Sequence, residues 1–151
     1  EADTIFHAPV LDAVEVVLGV GWKARLSMPL LYHPPCHDSL EGKGEALLRG
    51  LCEQGVTTVP HCCGEAGTLA LSRPDIAAAM MDRKREAVVL GLKASPGARL
   101  VTHCPACLNG LGRLGLVPPL HLTTALSEAY DPLNWRRLAI DRLSRAEKVP
   151  L

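Results

Sequence analysis

The amino-acid sequence predicts an α/β fold: a mostly parallel sheet of about four strands with helices on its faces. Two observations lead there. Short apolar or β-branched runs alternate with longer segments of helical period. Each of the first three runs is also followed at once by cysteine: Cys36 after the first, Cys62 and Cys63 after the second, Cys104 and Cys107 after the third. In an open parallel sheet, the loops leaving the carboxyl ends of the strands share one edge, where such folds bind ligands. The cysteine loops are therefore expected to converge.

Taken in order, Ile5 to Leu18 carries Val10, Leu11, Val14, Val17 and Leu18 at helical spacing and ends near Gly19, with His7 as a surface or capping residue. Leu30 to His33, bounded by prolines, reads as a buried first strand. From Gly44 to Gln54, Leu47, Leu48, Leu51 and Cys52 share a helical face, with Gly55 as the expected stop. Cys52 thus reads as a small core residue. Val56 to Pro60 is β-branched and is the second strand.

Ser72 and Asp75 have the spacing of a capping box. In the helix that follows, Ile76, Met80, Ala87, Val88 and Gly91 are expected to face the core, and Asp82 to Glu86 to be solvated. Pro96-Gly97 turns the chain into a third strand, Arg99 to Thr102. Pro105 is suited to the first helical position after Cys104, in a helix carrying Leu108, Leu111 and Leu114. Val117 to Leu122 is expected as a fourth strand, Thr124 to Tyr130 as a short helix, and Trp135 to Leu143 as a last amphipathic helix.

The 151 residues suit one domain with a real apolar core. Formal charge is zero, from 16 basic and 16 acidic side chains, which removes the electrostatic case for nucleic acid or an anionic membrane. No apolar run reaches the about eighteen residues of a membrane span, and nothing at the start resembles a signal peptide. The first residue is Glu1, so the chain is read as excised from something longer. Cysteines clustered beside histidines, without an export signal, favour metal in a reducing, cytoplasmic compartment over disulfides.

The central stretch is His61-Cys62-Cys63-Gly64-Glu65-Ala66-Gly67-Thr68. Gly64 and Gly67 let the backbone turn tightly and bring its amides close to a bound group. Cys104 and Cys107 fall in the first turn of a helix, where the macrodipole lowers thiol pKa values. One C-x-x-C knuckle, one vicinal pair and one lone cysteine give five thiolates, where a structural zinc site takes four ligands. Vicinal cysteines reach two neighbouring irons more easily than they chelate one ion, so the spacing favours an iron–sulfur cluster, with zinc as the alternative. A thiol–disulfide module using Cys62-Cys63 or Cys104 and Cys107 is a third reading. His37, His61 and His103 each adjoin a cysteine and are expected to donate N–H toward cluster sulfur or to line its solvent edge. Glu65 reads as a loop hydrogen-bonder or surface carboxylate.

The order Cys36, Cys62-Cys63-Gly64, Cys104-Pro105-Ala106-Cys107 resembles the cysteine-rich (CCG) domain family over about residues 30–110. That family includes heterodisulfide reductase B subunits and iron–sulfur subunits of glycolate and lactate oxidation systems. Tyr32-His33-Pro34-Pro35-Cys36-His37, Cys62 to Thr68, Ser72-Arg73-Pro74-Asp75, Cys104 to Leu111 and Asn134-Trp135 look more narrowly like the C-terminal part of FAD-linked oxidases resembling D-lactate and D-2-hydroxyglutarate dehydrogenases. The resemblance implies an electron-transfer module acting with a flavin-binding domain or subunit and a ferredoxin-like iron–sulfur segment. It also implies a four-iron cluster held by Cys36, Cys62, Cys63, Cys104 and Cys107, and FAD bound only outside this chain. Its expected place is cytoplasmic, or peripheral to the inner membrane through partners. The heterodisulfide reductase subunit has two copies of the motif and this chain has one, so disulfide cleavage by paired clusters is not implied.

Overall fold

Three-residue apolar runs whose side chains are all enclosed belong in the middle of a sheet covered on both faces. Leu30–Tyr32 (β1) is such a run. A computed structural model describes residues 12–19, 25–65, 68–130 and 140 of the chain. Beside β1 lie Val56–Thr58 (β2), Arg99–Thr102 (β3) and Leu120–His121 (β4). They form a four-stranded sheet in the order β2-β1-β3-β4, every pair parallel, with Leu31 opposite Thr57 and Leu100, and Val101 opposite Leu120. The predicted α/β class is the observed one.

Alternation along the strands builds two cores. Leu30, Tyr32, Val56 and Val101 point to one face, where they meet α1 (Ala13–Gly19), α2 (Lys43–Leu51) and α6 (Leu122–Tyr130) through Val14, Leu47, Leu48, Leu51, Leu122 and Leu126. Leu31 and Leu100 point to the other, where they meet α4 (Pro74–Ala94) and α5 (Pro105–Gly112) through Val88, Cys107 and Leu111. A short α3 (Leu69–Ser72) precedes α4. Among the described residues, no helix is long and apolar enough to cross a membrane.

Several local expectations are corrected. α2 stops at Leu51, before Gly55, because Cys52 is already extended and bridges Leu26. Gly55, at φ +90°, turns the chain into β2 instead. Cys52 is in the core as expected, its one S–H within reach of the carbonyls of both Met28 and Gly55. The Ser72 capping box does not form. Ser72 closes α3 by bonding the Thr68 carbonyl, Arg73 takes the cap position, and Asp75 pairs with Arg73. The fourth strand is only Leu120–His121, and α6 begins at Leu122 rather than Thr124.

On α4 the buried positions are Ala77, Lys84, Val88 and Gly91. Ile76 is exposed, Met80 and Ala87 are only partly covered, and Lys84 is fully enclosed within the stretch expected to be solvated. His7, Gly67, Asn134, the Ile5 to Leu11 part of the first predicted helix, and Trp135 to Leu143 apart from Ile140 lie outside the described residues, while the rest of that first helix is observed as Ala13–Gly19.

Candidate metal centre

β1 has β2 on one side and β3 on the other, so the connections leave in opposite directions from the β1/β3 boundary, where parallel α/β sheets place their ligands. The chain leaving β1 carries Cys36, that leaving β3 carries Cys104 and Cys107, and that leaving β2 carries Cys62 and Cys63. All five line one cavity of about 270 Å³, together with Pro35, His37, Glu65 and Ala106. Cys52 does not.

Within that cavity the thiols form a connected set. Cys63 Sγ stands 3.1 Å from Cys107 Sγ. Cys36 is hydrogen-bonded to Cys62, and Cys107 to Cys104 as well as Cys63. Cys63 and Cys107 are buried, Cys62 and Cys104 half-buried, and Cys36 exposed. All five are unpaired.

The loops are shaped for this. Cys104 has extended backbone at the cap of α5, with Pro105 as the first helical residue, as its missing N–H suggests. The Cys62-Cys63-Gly64 loop turns at Gly64, whose φ of +75° favours glycine, and its amide donates to Cys62 Sγ at 3.4 Å. Glu65 pairs with Arg113 beyond the end of α5, so it ties this loop to the helix that carries Cys107.

The expected lowering of thiol pKa in the first turn of α5 is overturned for Cys107. Burial, then its hydrogen bonds to Cys63 and Cys104, push that thiol up. The hydrogen bond to Cys62, then burial, raises Cys36. Crowded sulfurs share protons, and an anion among them is repelled by the others. A cation binding here must displace those protons.

The three histidines beside cysteines separate. His37 is exposed and lines the cavity. His61, at φ +71°, faces an adjoining groove with Arg83 and Glu86. His103 is turned to the opposite face. Its Nδ1 meets the Tyr32 hydroxyl at 2.8 Å, and its Nε2 lies 3.1 Å from Asp38 Oδ1 without the alignment of a hydrogen bond. The expectation that it donates to sulfur is therefore corrected: both ring nitrogens face other groups.

Two residues that the sequence reading missed adjoin the site. His33, just past β1, groups with Cys63 and Cys107, their ligand atoms all within 4.8 Å of one another. Lys84 Nζ lies 2.8 Å from His33 Nδ1 and donates to the carbonyls of Val59 and Pro60 at 3.0 and 2.9 Å. Burial lowers Lys84 to about 8, while the charges of Cys63, Cys107, Cys62 and Cys36 oppose that shift. Burial, then the charge of Lys84, lowers His33 to about 4. The missed signal was the spacing of Lys84 from Ala77, Val88 and Gly91, which puts all four on one helical face.

A sequence model of one family, described as a cysteine-rich domain (CCG), matches residues 30–112, from β1 to the end of α5. Lactate utilization protein A of Exiguobacterium sp. (strain AT1b) is 28% identical over 111 residues, covering 68% of this chain and 42% of that protein. The chain thus spans less than half the length of this curated relative. No solved structure gives a significant match.

Proposed function

We propose, because this chain belongs to the CCG cysteine-rich domain family, that it is the iron–sulfur electron-transfer domain of an FAD-linked oxidoreductase acting on D-2-hydroxy acids of the lactate, glycolate and 2-hydroxyglutarate class. The observation that carries this reading is that five thiols from three strand-end loops line one cavity. That donor set fits a four-iron cluster, since soft thiolates in excess of four suit iron and sulfide better than one tetrahedral ion.

In this reading Cys36, Cys62, Cys63, Cys104 and Cys107 would hold the cluster, and Gly64 and Gly67 are the cofactor-binding glycines of the central loop. The cluster, when bound, supplies a store for electrons. The chain's own residues give the site two apolar lining groups, Pro35 and Ala106, and set a buried cation, Lys84, near the thiols. The electron donor is a flavin-binding domain or subunit, reached through a ferredoxin-like iron–sulfur segment, and this chain is a domain of that larger assembly. The name of the lactate utilization relative agrees with the substrate class. The assembly works in the cytoplasm, or at the inner membrane through partners.

Anaerobic reconstitution of the full chain tests this. The expected result is about four irons per chain and an EPR signal that appears and disappears on redox cycling. A second reading, structural zinc, is favoured by the compact His33, Cys63, Cys107 group, a mixed nitrogen and sulfur set that zinc accepts. Colourless protein holding about one zinc, unchanged by reductant, would establish it instead. If the 3.1 Å pair Cys63 and Cys107 is a redox dithiol, two thiols per chain disappear on mild oxidation without metal.

A further inference from the structure

Lys84 and His33 are not among the cysteines, yet both are buried against them. Lys84 Nζ has three partners: the carbonyls of Val59 and Pro60, and Nδ1 of His33. An ammonium has three N–H donors and no acceptor, so the three partners use them all. A His33 whose Nδ1 accepts carries its proton on Nε2. That Nε2 is buried and has no partner among the described residues, while the sulfurs of Cys63 and Cys107 are the ligand atoms grouped with this ring. A buried N–H without an acceptor is costly, and sulfur carrying negative charge is the acceptor its surroundings offer.

We infer that His33 is an Nε2–H donor to sulfur of the cysteine centre, held in that tautomer by Lys84, and that the pair raises the reduction potential of the centre. This rests on the iron–sulfur reading above. Reduction adds negative charge to a centre of this kind, so an N–H directed at sulfur and a buried cation behind it favour the reduced state. His33 touches the centre, and Lys84 is the positioning residue. The reverse arrangement, a neutral Lys84 accepting from Nδ1–H, leaves a lone pair on Nε2 and makes His33 a metal ligand. It also requires Lys84 to give up a proton, against the ordinary pKa of about 10.4 for an ammonium, where the first arrangement leaves lysine charged and imidazole neutral.

Two measurements decide between these arrangements. The first is nitrogen-15 NMR of the full, metal-free, histidine-labelled chain, where Nε2 of His33 is expected to carry the proton. A proton on Nδ1 overturns the inference in favour of ligation. The second is a redox titration of the reconstituted chain. Lys84→Met and His33→Phe are each expected to shift the reduction equilibrium about ten-fold against the reduced form, about 59 mV for a one-electron couple. The double variant should lose less than the sum, because both act through the same N–H. His33→Gln, which keeps an N–H at the distal position, should recover most of the loss, which a packing role would not produce. Unchanged potentials in Lys84→Met and His33→Phe overturn the inference. Failure of the unaltered chain to take up iron overturns the iron–sulfur reading instead, and the NMR result still decides the role of His33. That result also stands whether or not either variant folds.

Discussion

A Cβ placed on Gly110 would stand 2.5 Å from the carbonyl oxygen of Cys63 and 3.2 Å from its Cβ. The Cys62-Cys63-Gly64 loop therefore rests on the bare backbone of α5, and this close approach brings Cys63 Sγ to 3.1 Å from Cys107 Sγ. The nearest contact atom is a backbone carbonyl oxygen, which cannot swing aside as a side-chain tip can.

Gly110→Ala should accordingly push the loop off the helix. Overpacking of this kind costs about 1–3 kcal/mol, and the displaced Cys63 should reduce the iron retained after reconstitution. Gly112→Ala, on the same helix, meets only Pro119 Cγ at 4.0 Å and serves as the control. Urea denaturation of the metal-free chain and iron content read both effects. Equal behaviour of the two variants would remove the claim that the loop depends on this contact.

The six cysteines should divide five to one. Serine at Cys36, Cys62, Cys63, Cys104 or Cys107 replaces a cavity thiol, and each change should lower the iron bound or alter its EPR signal. Cys52→Ala should leave both unchanged and cost about 1–2 kcal/mol, because its buried S–H is within reach of two carbonyls away from the cavity. Loss of iron in Cys52→Ala with the other five dispensable would reverse the assignment.

Much of this layout is legible in the sequence because it depends on periodicity. Leu30, Leu31 and Tyr32 announce a strand buried on both faces, and cysteines placed just after strands are carried to one edge by a parallel sheet. What adjacency in sequence suggested, the pleat overruled. His103 precedes Cys104, yet its ring turns to Tyr32 on the opposite side of the sheet. Lys84 was hidden by its neighbours: in a run of charges its own type suggests solvent, while its spacing from Ala77 and Val88 puts it inside. The depth that makes it costly can be offset only by partners distant in sequence, Val59, Pro60 and His33, and no local pattern shows them. The Ser72 and Asp75 spacing misled in the other way, since Pro74 starts the helix and leaves Arg73, not Ser72, at the cap.

Acid should weaken the metal-free chain through His33. Burial and then the nearby charge of Lys84 lower its pKa from 6.5 to about 4. Between those values the unfolded chain binds the proton and the folded chain does not, so stability falls as pH falls. The contribution is fully present above about pH 6.5 and is lost progressively toward pH 4, in total about 3 kcal/mol for a shift of this size. His103, lowered by burial, acts in the same direction. Lys84 titrates near 8, above this window, and the lowered carboxylates of Glu15, Glu45 and Asp75 titrate below most of it. Urea midpoints at about pH 7 and about pH 5 should differ clearly in the unaltered chain and much less in His33→Gln. An equal loss in both would assign the acid limb to other groups.

Tyr32→Phe separates the two buried histidines. The Tyr32 hydroxyl meets His103 Nδ1 at 2.8 Å on the face away from the cysteine cavity, and it fills the space beside Gly44, where a Cβ would come within 2.9 Å of it. The hydroxyl donates to Nδ1 or accepts from it according to the tautomer, and in either case it is the partner that nitrogen has in the core. Removing the hydroxyl leaves that nitrogen unpaired in the core, a loss of about 1–3 kcal/mol by denaturation. Iron content and reduction potential should not change, because neither side chain reaches the five thiols. His33→Phe should do the opposite at the centre and shift the potential. A potential that moves in Tyr32→Phe and holds in His33→Phe would mean that His103 is the histidine coupled to the cysteine site.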